Sequence, residues 1–200
     1  MKPWYQPSAK VVAEVELPAL NYLMIDGVGD PNTAPEYAAA VEVLFTVSYA
    51  LKFMVKRSAV AVDYGVMPLE GLWWVEDGIF DITIKDNWFY TLMIMQPEVI
   101  TKELFEEALE QVRKKKGESE MFSKLKLTHF EEGLCVQTMH IGPYATEPAT
   151  IERMKEFMKE NGLRDNVGPN GKHHEIYLSD PRKAAADKMK TVLRHPVIKL

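Results

Sequence analysis

Residues 136–144, Val136-Gln-Thr-Met-His-Ile-Gly-Pro-Tyr144, carry the pattern from which the fold can be predicted. An apolar strand pattern ends there at a Gly-Pro break, and a helical pattern follows. The run Tyr22-Leu-Met-Ile-Asp-Gly-Val-Gly-Asp30 has the same plan in the first half of the chain. In each half the helix leads to a short aromatic strand, at residues 68–75 and 173–178. Two units of one plan predict a pseudo-twofold fold with a ligand groove between its halves.

Hydrophobic periodicity extends this plan to the whole chain. The predicted elements are an edge strand at 11–17, a strand at 21–26, a helix at 34–56, strands at 69–76 and 87–95, a helix at 102–116, strands at 124–131 and 134–141, a helix at 147–161, and strands at 174–178 and 190–198. Asn32 or Thr33 is expected to cap the first long helix. Glu76-Asp-Gly78 has the composition of a turn, and Glu132-Gly133 that of a hairpin.

These elements predict an α+β fold. Tandem strand–helix–strand–strand repeats would form a curved antiparallel sheet, with helices on one side and a ligand cleft between the halves. We expect one domain, with a first repeat over about 18–97, a connecting helix over about 101–116 and a second repeat over about 124–198.

Composition limits the classes of protein to which the chain can belong. Its 200 residues, 46% of them hydrophobic, are typical of a globular domain. A net charge of −5 argues against direct nucleic-acid binding. The single cysteine, Cys135, excludes an intramolecular disulfide and favours a reducing compartment. We find no apolar leader and expect no membrane span, so the predicted location is cytoplasmic.

Several ordered motifs resemble the GyrI-like small-molecule-binding family. The matching pieces are Gly133-Leu-Cys-Val-Gln137, His140-Ile-Gly-Pro-Tyr144, His174-Glu-Ile-Tyr-Leu-Ser-Asp-Pro181 and, in the first half, Met67-Pro-Leu-Glu-Gly-Leu-Trp-Trp74. Each piece alone is weak, but the ordered set is fairly specific and covers about residues 15–198.

The resemblance implies a ligand cleft at the pseudo-twofold. It also implies a stand-alone member, since the chain has no helix-turn-helix segment. Stand-alone proteins similar to this one are associated with the hydrolysis of cyclopropane-bearing genotoxic natural products, the cyclopropanoid alkylators. Others in the family bind hydrophobic cations or peptides without chemistry.

Alternation along the second aromatic strand divides its side chains between two faces. Glu175 and Tyr177 point one way, and Ile176 and Leu178 point the other. We expect the apolar pair to face the core under the helices, which would leave the polar pair facing the cleft.

An alignment of the two repeats extends this assignment to the first half. It sets Gly71 against Glu175 and Trp73 against Tyr177, so Trp73 also faces the cleft. Glycine at 71 would leave Glu175 as the lone acid among aromatic rings. Glu70 would face away, unless a bulge reverses the two assignments.

The expected site suits two kinds of function. Removal from water favours the protonated form of a carboxylate, which suits Glu175 to general acid–base work on water. Aromatic faces with a carboxylate equally suit the binding of a lipophilic cation. The candidate catalytic residues are Glu175, Tyr177 and Tyr144, and the candidate ligand-binding residues are Trp73, Trp74, Trp88, Tyr49, Glu70 and His140.

Ordinary structural roles compete with these assignments. Glu175 is also compatible with a solvated strand carboxylate, the tryptophans with core positions, and His140 with a structural histidine. His173 and His174 are adjacent in a strand and face opposite ways, which makes them poor joint metal ligands. We expect no cofactor and no metal.

The leading hypothesis is a cofactor-independent hydrolase of hydrophobic, cyclopropane-containing genotoxins, which would be a detoxifying enzyme. The alternatives are a non-catalytic, multidrug-binding protein that sequesters hydrophobic or cationic drugs, and a modulator of gyrase. The expected partner is a hydrophobic aromatic small molecule. The edge strand at 10–17 could pair with the same strand of another chain, which would give a homodimer.

Overall fold

The computed structural model describes residues 2–76, 87–168 and 170–200. Its helices are α1 (Lys2–Tyr5), α2 (Pro35–Arg57), α3 (Lys102–Lys116), α4 (Glu120–Lys124) and α5 (Glu147–Glu160). Its strands are β1 (Ala13–Leu17), β2 (Leu20–Val28), β3 (Leu69–Trp74), β4 (Phe89–Gln96), β5 (Lys126–Phe130), β6 (Gly133–Ile141), β7 (Leu163–Asp165), β8 (His173–Tyr177) and β9 (Lys190–Lys199). Two 3₁₀ turns lie at Tyr144–Thr146 and Ala186–Lys188. Of the turn expected at 76–78, residues 77 and 78 lie outside the described part.

The strands form one curved antiparallel sheet in the order β1-β6-β9-β8-β3-β4-β2-β5, with β7 paired to β9. The order is symmetric about the contact between β3 and β8. A pseudo-twofold there relates β4 to β9, β2 to β6 and β5 to β1. The predicted α+β fold of two strand–helix–strand–strand repeats is confirmed.

The hairpin expected at Glu132-Gly133 is wrong. β5 pairs with β2, whereas β6 pairs with β1 and β9, so these consecutive strands lie in different halves of the sheet. The first strand of each half, β1 or β5, pairs with the other half. A two-residue turn cannot distinguish a hairpin from such a crossing, because both need the same turn chemistry.

Short links between the ends of the sheet explain its curvature. Only Pro18 and Ala19 separate β1 from β2, although the two strands lie near opposite ends of the strand order. Three peptide units span at most about 11 Å, whereas strands in a flat sheet lie about 4.8 Å apart. The sheet therefore curls until its ends approach at this corner.

Helix α2 begins at Pro35, after Ala34, and has no side-chain cap, so the capping role expected of Asn32 or Thr33 is wrong. A proline in the first turn needs no partner for its missing N–H, which lessens the need for a cap. By length and composition, α2 is apolar enough to cross a membrane, contrary to our expectation that no segment is. In this structure α2 packs on β2 and β4 and against α3.

The other helix ends follow the sequence more closely. Thr101 caps α3 by accepting a hydrogen bond from the Leu104 amide, and Gly117 ends that helix with positive φ. Helix α4 was not predicted, since its single turn is too short for a periodic pattern.

Both long helices that frame the cleft lie on the same face of the sheet. Helix α2 packs over Trp73 and Leu92 in one core cluster, and α5 packs over Leu193 in another. Leu193 is the register partner of Glu175, and paired residues point to the same side. Glu175 thus lies on the helix-bearing face.

The expectation that Ile176 and Leu178 face the core under the helices is therefore wrong. Ile176 lies on the opposite face, in a third cluster with Tyr5 and Leu72, and Leu178 packs against that cluster. The N-terminal segment covers this face. Alternation assigned the two groups to different faces, but it could not tell which face carries the helices.

A buried polar network on the N-terminal face fixes that segment to the sheet. Glu70 accepts a 2.6 Å hydrogen bond from Tyr5 Oη, and its other oxygen lies 2.9 Å from His174 Nε2. His174 Nδ1 lies 2.9 Å from Glu132, which also pairs with Arg194 at 3.2 Å. All of these carboxylates have charged or hydrogen-bonded partners, as burial requires.

Candidate functional site

The pseudo-twofold passes through the floor of a cleft between the two repeats. At this point Gly71 of β3 faces Glu175 of β8, with Trp73 paired to His173 and Leu69 to Tyr177. The pseudo-twofold rotation makes Trp73 of β3 equivalent to Tyr177 of β8, as the alignment of the repeats predicted.

The cleft has a volume of about 770 Å³. Pockets of this size hold drug-sized ligands. Helix α2 supplies one wall, the Tyr144–Thr146 turn and the start of α5 supply the other, and residues 178–182 border the mouth. The aromatic residues of the lining are Tyr37, Phe45, Trp73, Trp88, Tyr144 and Tyr177.

Glu175 lies on the floor of this cleft and is only 6% exposed. Its Oε1 atom is 3.0 Å from Nε2 of the fully buried His173. His173 uses its second ring nitrogen on His195, at 2.7 Å. Glu175 is therefore held in place by His173, and its carboxylate also interacts with the Tyr177 hydroxyl.

Tyr177 stands beside this carboxylate. Its hydroxyl accepts a 3.0 Å hydrogen bond from Trp73 Nε1. Burial, and then the charge of Glu175, raise the pKa of Tyr177 well above its ordinary value. Tyr177 is accordingly a neutral hydrogen-bond donor throughout the physiological pH range.

Glycine at 71 makes the contact between Trp73 and Tyr177 possible. A Cβ atom at this position would lie 2.7 Å from Trp73 Nε1 and 3.0 Å from Tyr177 Oη. The side chains of Trp73 and Tyr177 occupy the space that a side chain at position 71 would fill. Gly71 therefore shapes the floor of the cleft, in addition to leaving one carboxylate at the twofold.

Two further tyrosines complete the wall around Glu175. The ring of Tyr144 meets that of Tyr177 edge-on, with centroids 6.0 Å apart. Burial, and then Glu175, raise the pKa of Tyr144 to about 12. Tyr37 stacks on Trp73 at 6.2 Å, and burial raises its pKa as well. Both hydroxyls are neutral at physiological pH and can donate hydrogen bonds to a ligand.

Glu175 is not the lone acid of the cleft, because Glu147 at the start of α5 is fully buried and lines it too. In the sequence, Glu147 is marked only as the first residue of a predicted helix. One donor atom each from Glu147, His173 and Glu175 lie within 4.8 Å of one another, close enough to hold a metal ion. Both ring nitrogens of His173 also lie within hydrogen-bonding distance of other side chains, Nε2 of Glu175 and Nδ1 of His195.

The structure brings Glu175, Tyr177, Tyr144, Trp73 and Trp88 together in the cleft. Four other candidates lie elsewhere. Glu70 is buried on the N-terminal face, as the alternation without a bulge required. Trp74 also points to that side, where it stacks on Phe89 and carries Lys172 Nζ 3.4 Å above its ring.

Tyr49 and His140 also lie outside the cleft lining, contrary to our assignment. Tyr49 is 48% exposed on α2, in a surface row of rings with Phe45 and Phe53. His140 is buried under α5, where Nδ1 lies 2.9 Å from Thr150 Oγ1. Its role is to hold the Gly-Pro turn, whose Pro143 carbonyl lies 3.2 Å from Nε2.

Comparison with solved structures identifies close relatives. An uncharacterized conserved protein from Listeria innocua is 45% identical with a TM-score of 0.90, over 98% of this chain and 96% of that one. Two hydrolases from the same organism, at 44% and 42% identity, have TM-scores of 0.87 and 0.86 with the same coverage. No curated protein matches the chain significantly.

The family comparison covers nearly the whole chain. Residues 11–197 match the GyrI-like small molecule binding domain. This range contains both repeats, both walls of the cleft and Glu175 at its floor. The chain therefore belongs to the GyrI-like small-molecule-binding domain family.

Proposed function

We propose that the protein is a cofactor-independent hydrolase of hydrophobic, cyclopropane-containing alkylators, with Glu175 as general base. The observation that carries the proposal is a buried carboxylate on the floor of an aromatic cleft of about 770 Å³. Two solved relatives above 40% identity are hydrolases. The resemblance to the cyclopropanoid hydrolases supplies the substrate class.

Binding in this proposal rests on the aromatic walls. Trp73 and Trp88 are tilted by 57° with centroids 5.2 Å apart, so they present two differently oriented faces. A flat polycyclic ligand would bury its apolar surface against such rings. The cleft would thereby hold the reactive ring carbon close to Glu175.

The chemical step adds one water molecule to the substrate. Glu175 takes a proton from water as the water oxygen forms a bond to the cyclopropane methylene carbon. The C–C bond to that carbon breaks, and its electron pair passes through the conjugated system to the carbonyl oxygen, which becomes a phenolate. That oxygen then takes up one proton, so the product is the substrate plus water.

The tyrosines would stabilise the charge that develops on that oxygen. Tyr144 and Tyr177 both stay protonated, because burial and the nearby Glu175 raise their pKa values. Hydroxyls that the fold holds in fixed positions stabilise an oxyanion better than mobile water does.

Turnover of a duocarmycin-type alkylator, followed by mass spectrometry, tests the proposal. We expect repeated turnover to the water adduct, and a loss of about 100-fold or more in Glu175→Gln with ligand affinity retained. Glu14→Gln, which changes an exposed strand carboxylate, is the matched control and should keep full activity. Full turnover in Glu175→Gln would refute the assignment of the base.

A second candidate function is sequestration of lipophilic cations. It is favoured by the two buried carboxylates, Glu147 and Glu175, among aromatic faces, an arrangement that attracts cations. In that case the alkylator would be recovered intact. Glu175→Gln would then weaken the binding of a cationic dye but not of a neutral ligand with the same shape.

A further inference from the structure

A chain of four polar side chains connects the floor of the cleft with the edge of the sheet. Glu175 Oε1 lies 3.0 Å from His173 Nε2, and His173 Nδ1 lies 2.7 Å from His195 Nε2. His195 Nδ1 lies 2.9 Å from Asp165 Oδ2. The chain crosses from β8 through β9 to β7, and all three distances are within hydrogen-bonding range.

Burial changes along this chain. His173 is fully buried, and His195 is 4% exposed. The Asp165 side chain is 27% exposed, so this end reaches solvent. The interior part has no direct contact with bulk water, whereas Asp165 can exchange protons with it.

The number of protons links the four groups. Each of the three contacts is a hydrogen bond only if one proton lies in it, so the complete chain of hydrogen bonds needs three protons. Two neutral imidazoles and two ionised carboxylates supply only two, and the complete chain therefore holds one additional proton. Such closely coupled groups take up and release that proton as a unit.

We propose that Glu175, His173, His195 and Asp165 share one proton, so that Asp165 at the sheet edge sets the protonation state of Glu175 in the cleft. This role rests on the proposed function of Glu175 as a base. His173, His195 and Asp165 are positioning residues, because they act on the substrate only through Glu175.

Two filled arrangements are related by three proton transfers. In one, Glu175 carries the proton, His173 donates from Nδ1 to His195, and His195 donates from Nδ1 to an ionised Asp165. In the other, Glu175 is ionised, both rings carry their proton on Nε2, and Asp165 is protonated. Three N–H or O–H bonds break and three form, and one proton is moved in effect from the cleft to the sheet edge.

The surrounding charges favour the proton at the cleft end. Burial would raise the pKa of Asp165, but the hydrogen bond from His195 outweighs it and lowers that pKa. Burial lowers the pKa of His195 in spite of Asp165, and Lys155 on α5 acts in the same direction on both groups. At the other end, Glu147, Tyr177 and Tyr144 face Glu175. These directions favour an arrangement in which Asp165 is ionised and accepts a hydrogen bond from His195.

Asp165→Asn gives a specific test, because the other oxygen of Asp165 is fixed. Asp165 Oδ1 accepts a 3.0 Å hydrogen bond from the Val167 amide. An asparagine that keeps this bond turns its amide nitrogen toward His195 Nδ1. His195 must then carry its proton on Nε2, and His173 must do the same. All three contacts are filled without an extra proton, which fixes Glu175 as the carboxylate.

The experiment is a pH titration of protein labelled with ¹⁵N-histidine, followed by the imidazole nitrogen shifts. In the wild type we expect His173 and His195 to respond together to one proton, with a coupling across their N–H···N bond. In Asp165→Asn we expect the His195 proton to move from Nδ1 to Nε2 and the shared proton to be lost at lower pH than in the wild type. The tautomer of His140 should not change in this variant. The spectrum of His129→Gln identifies the signals of the exposed His129 ring.

Kinetics give a second readout that a purely structural role would not move. The acid limb of the kcat/KM profile should shift to lower pH in Asp165→Asn, with ligand affinity unchanged. Independent titration of the two histidines in the wild type, or an unchanged His195 tautomer in the variant, would overturn proton sharing even if turnover is observed. Coupled titration without turnover of any alkylator would refute the hydrolase proposal and leave proton sharing intact.

Discussion

Gly71 illustrates how a single absent side chain shapes the cleft. In Gly71→Ala the new Cβ would lie 2.7 Å from Trp73 Nε1, and both Trp73 and Tyr177 would have to move. We expect a loss of about 1–3 kcal/mol in the free energy of unfolding, together with weaker ligand binding. Urea denaturation and fluorescence titration of the same samples measure both effects.

Gly65→Ala is the control for this change, because a Cβ at Gly65 meets nothing within 4 Å. It should leave stability and ligand affinity nearly unchanged. Equal behaviour of the two variants would show that the close contact at Gly71 does not hold the floor of the cleft.

The Tyr177 hydroxyl links the packing of the floor to its chemistry. In Tyr177→Phe, Trp73 Nε1 loses its 3.0 Å acceptor, which should cost about 1–3 kcal/mol of stability. Loss of the donor beside Glu175 should lower kcat by about 10²-fold with a smaller effect on KM. Steady-state kinetics and chemical denaturation test these two effects separately.

Tyr64→Phe provides the matched comparison. Among the described residues, the buried Tyr64 hydroxyl has no hydrogen-bond partner, so its removal should not destabilise the protein. If Tyr177→Phe keeps wild-type kcat, the hydroxyl has no part in the reaction.

The site residues that lie on one pair of neighbouring strands could be predicted from the alternation of side chains along each strand. Glu175, Tyr177 and Trp73 share a face because register positions of one strand pair fix their directions. Glu147, His195 and Asp165 were missed because each belongs to a different element, and no local spacing brings them near Glu175. Tyr49 was assigned wrongly because an aromatic residue on a wide apolar helix face does not reveal whether it is covered.

At the scale of elements, the N-terminal helix α1 is attached to the sheet by polar contacts as well as by packing. Pro3 and Trp4 carbonyls accept hydrogen bonds from Gln137 at 2.7 Å and Arg194 at 2.6 Å. Tyr5 is buried and donates to Glu70. This short helix therefore completes a buried network that ends at strands of both repeats.

Tyr5→Phe should destabilise the protein by about 1.5–3 kcal/mol, because a buried carboxylate loses a charge-assisted hydrogen bond of 2.6 Å. The midpoint of urea denaturation should fall, and the N-terminal segment should become sensitive to protease. A stability equal to that of Tyr64→Phe would indicate that α1 is held by apolar packing alone.

The elements themselves followed from periodicity wherever they were long. The bounds of α2, α3 and α5 and of the long strands were close to the prediction, because each shows several turns or alternations of pattern. The pairing of β5 was not predictable, since strand partners depend on contacts distant in the chain. The face of the sheet on which the helices pack was not predictable for the same reason, because it also depends on contacts distant in the chain.

At the scale of the whole molecule, the buried ion cluster makes stability depend on pH. Burial opposes protonation of His174, but Glu132 and Glu70 outweigh it and raise the pKa of His174 above the ordinary 6.5. The stabilisation from this histidine is complete below about pH 6.5 and is lost as the pH rises through the raised pKa. Glu132, whose pKa is lowered in spite of burial by His174 and Arg194, adds stability above pH 4.5 that is lost in acid.

His174→Gln should therefore lower the free energy of unfolding most near pH 5.5–6.5 and less at alkaline pH. Denaturation of wild type and variant at several pH values between about 5 and 9 gives the difference directly. His129→Gln, which alters an exposed ring, should show no such trend. If the free-energy difference between wild type and His174→Gln is the same at every pH in this range, the pKa of His174 is the same in the folded and unfolded states.

The exchange of β1 and β5 between the repeats has a consequence for the origin of the site. Neither repeat contains a complete sheet, so two identical copies of one repeat would have to complete each other as a dimer. Such a dimer would carry the same residue twice at its axis, either two glycines or two facing carboxylates. Covalent fusion of the copies removes this restriction, because each can then change independently. A glycine facing a glutamate is thus an arrangement that a dimer of identical repeats cannot reach, and it places an asymmetric site within a nearly symmetric frame.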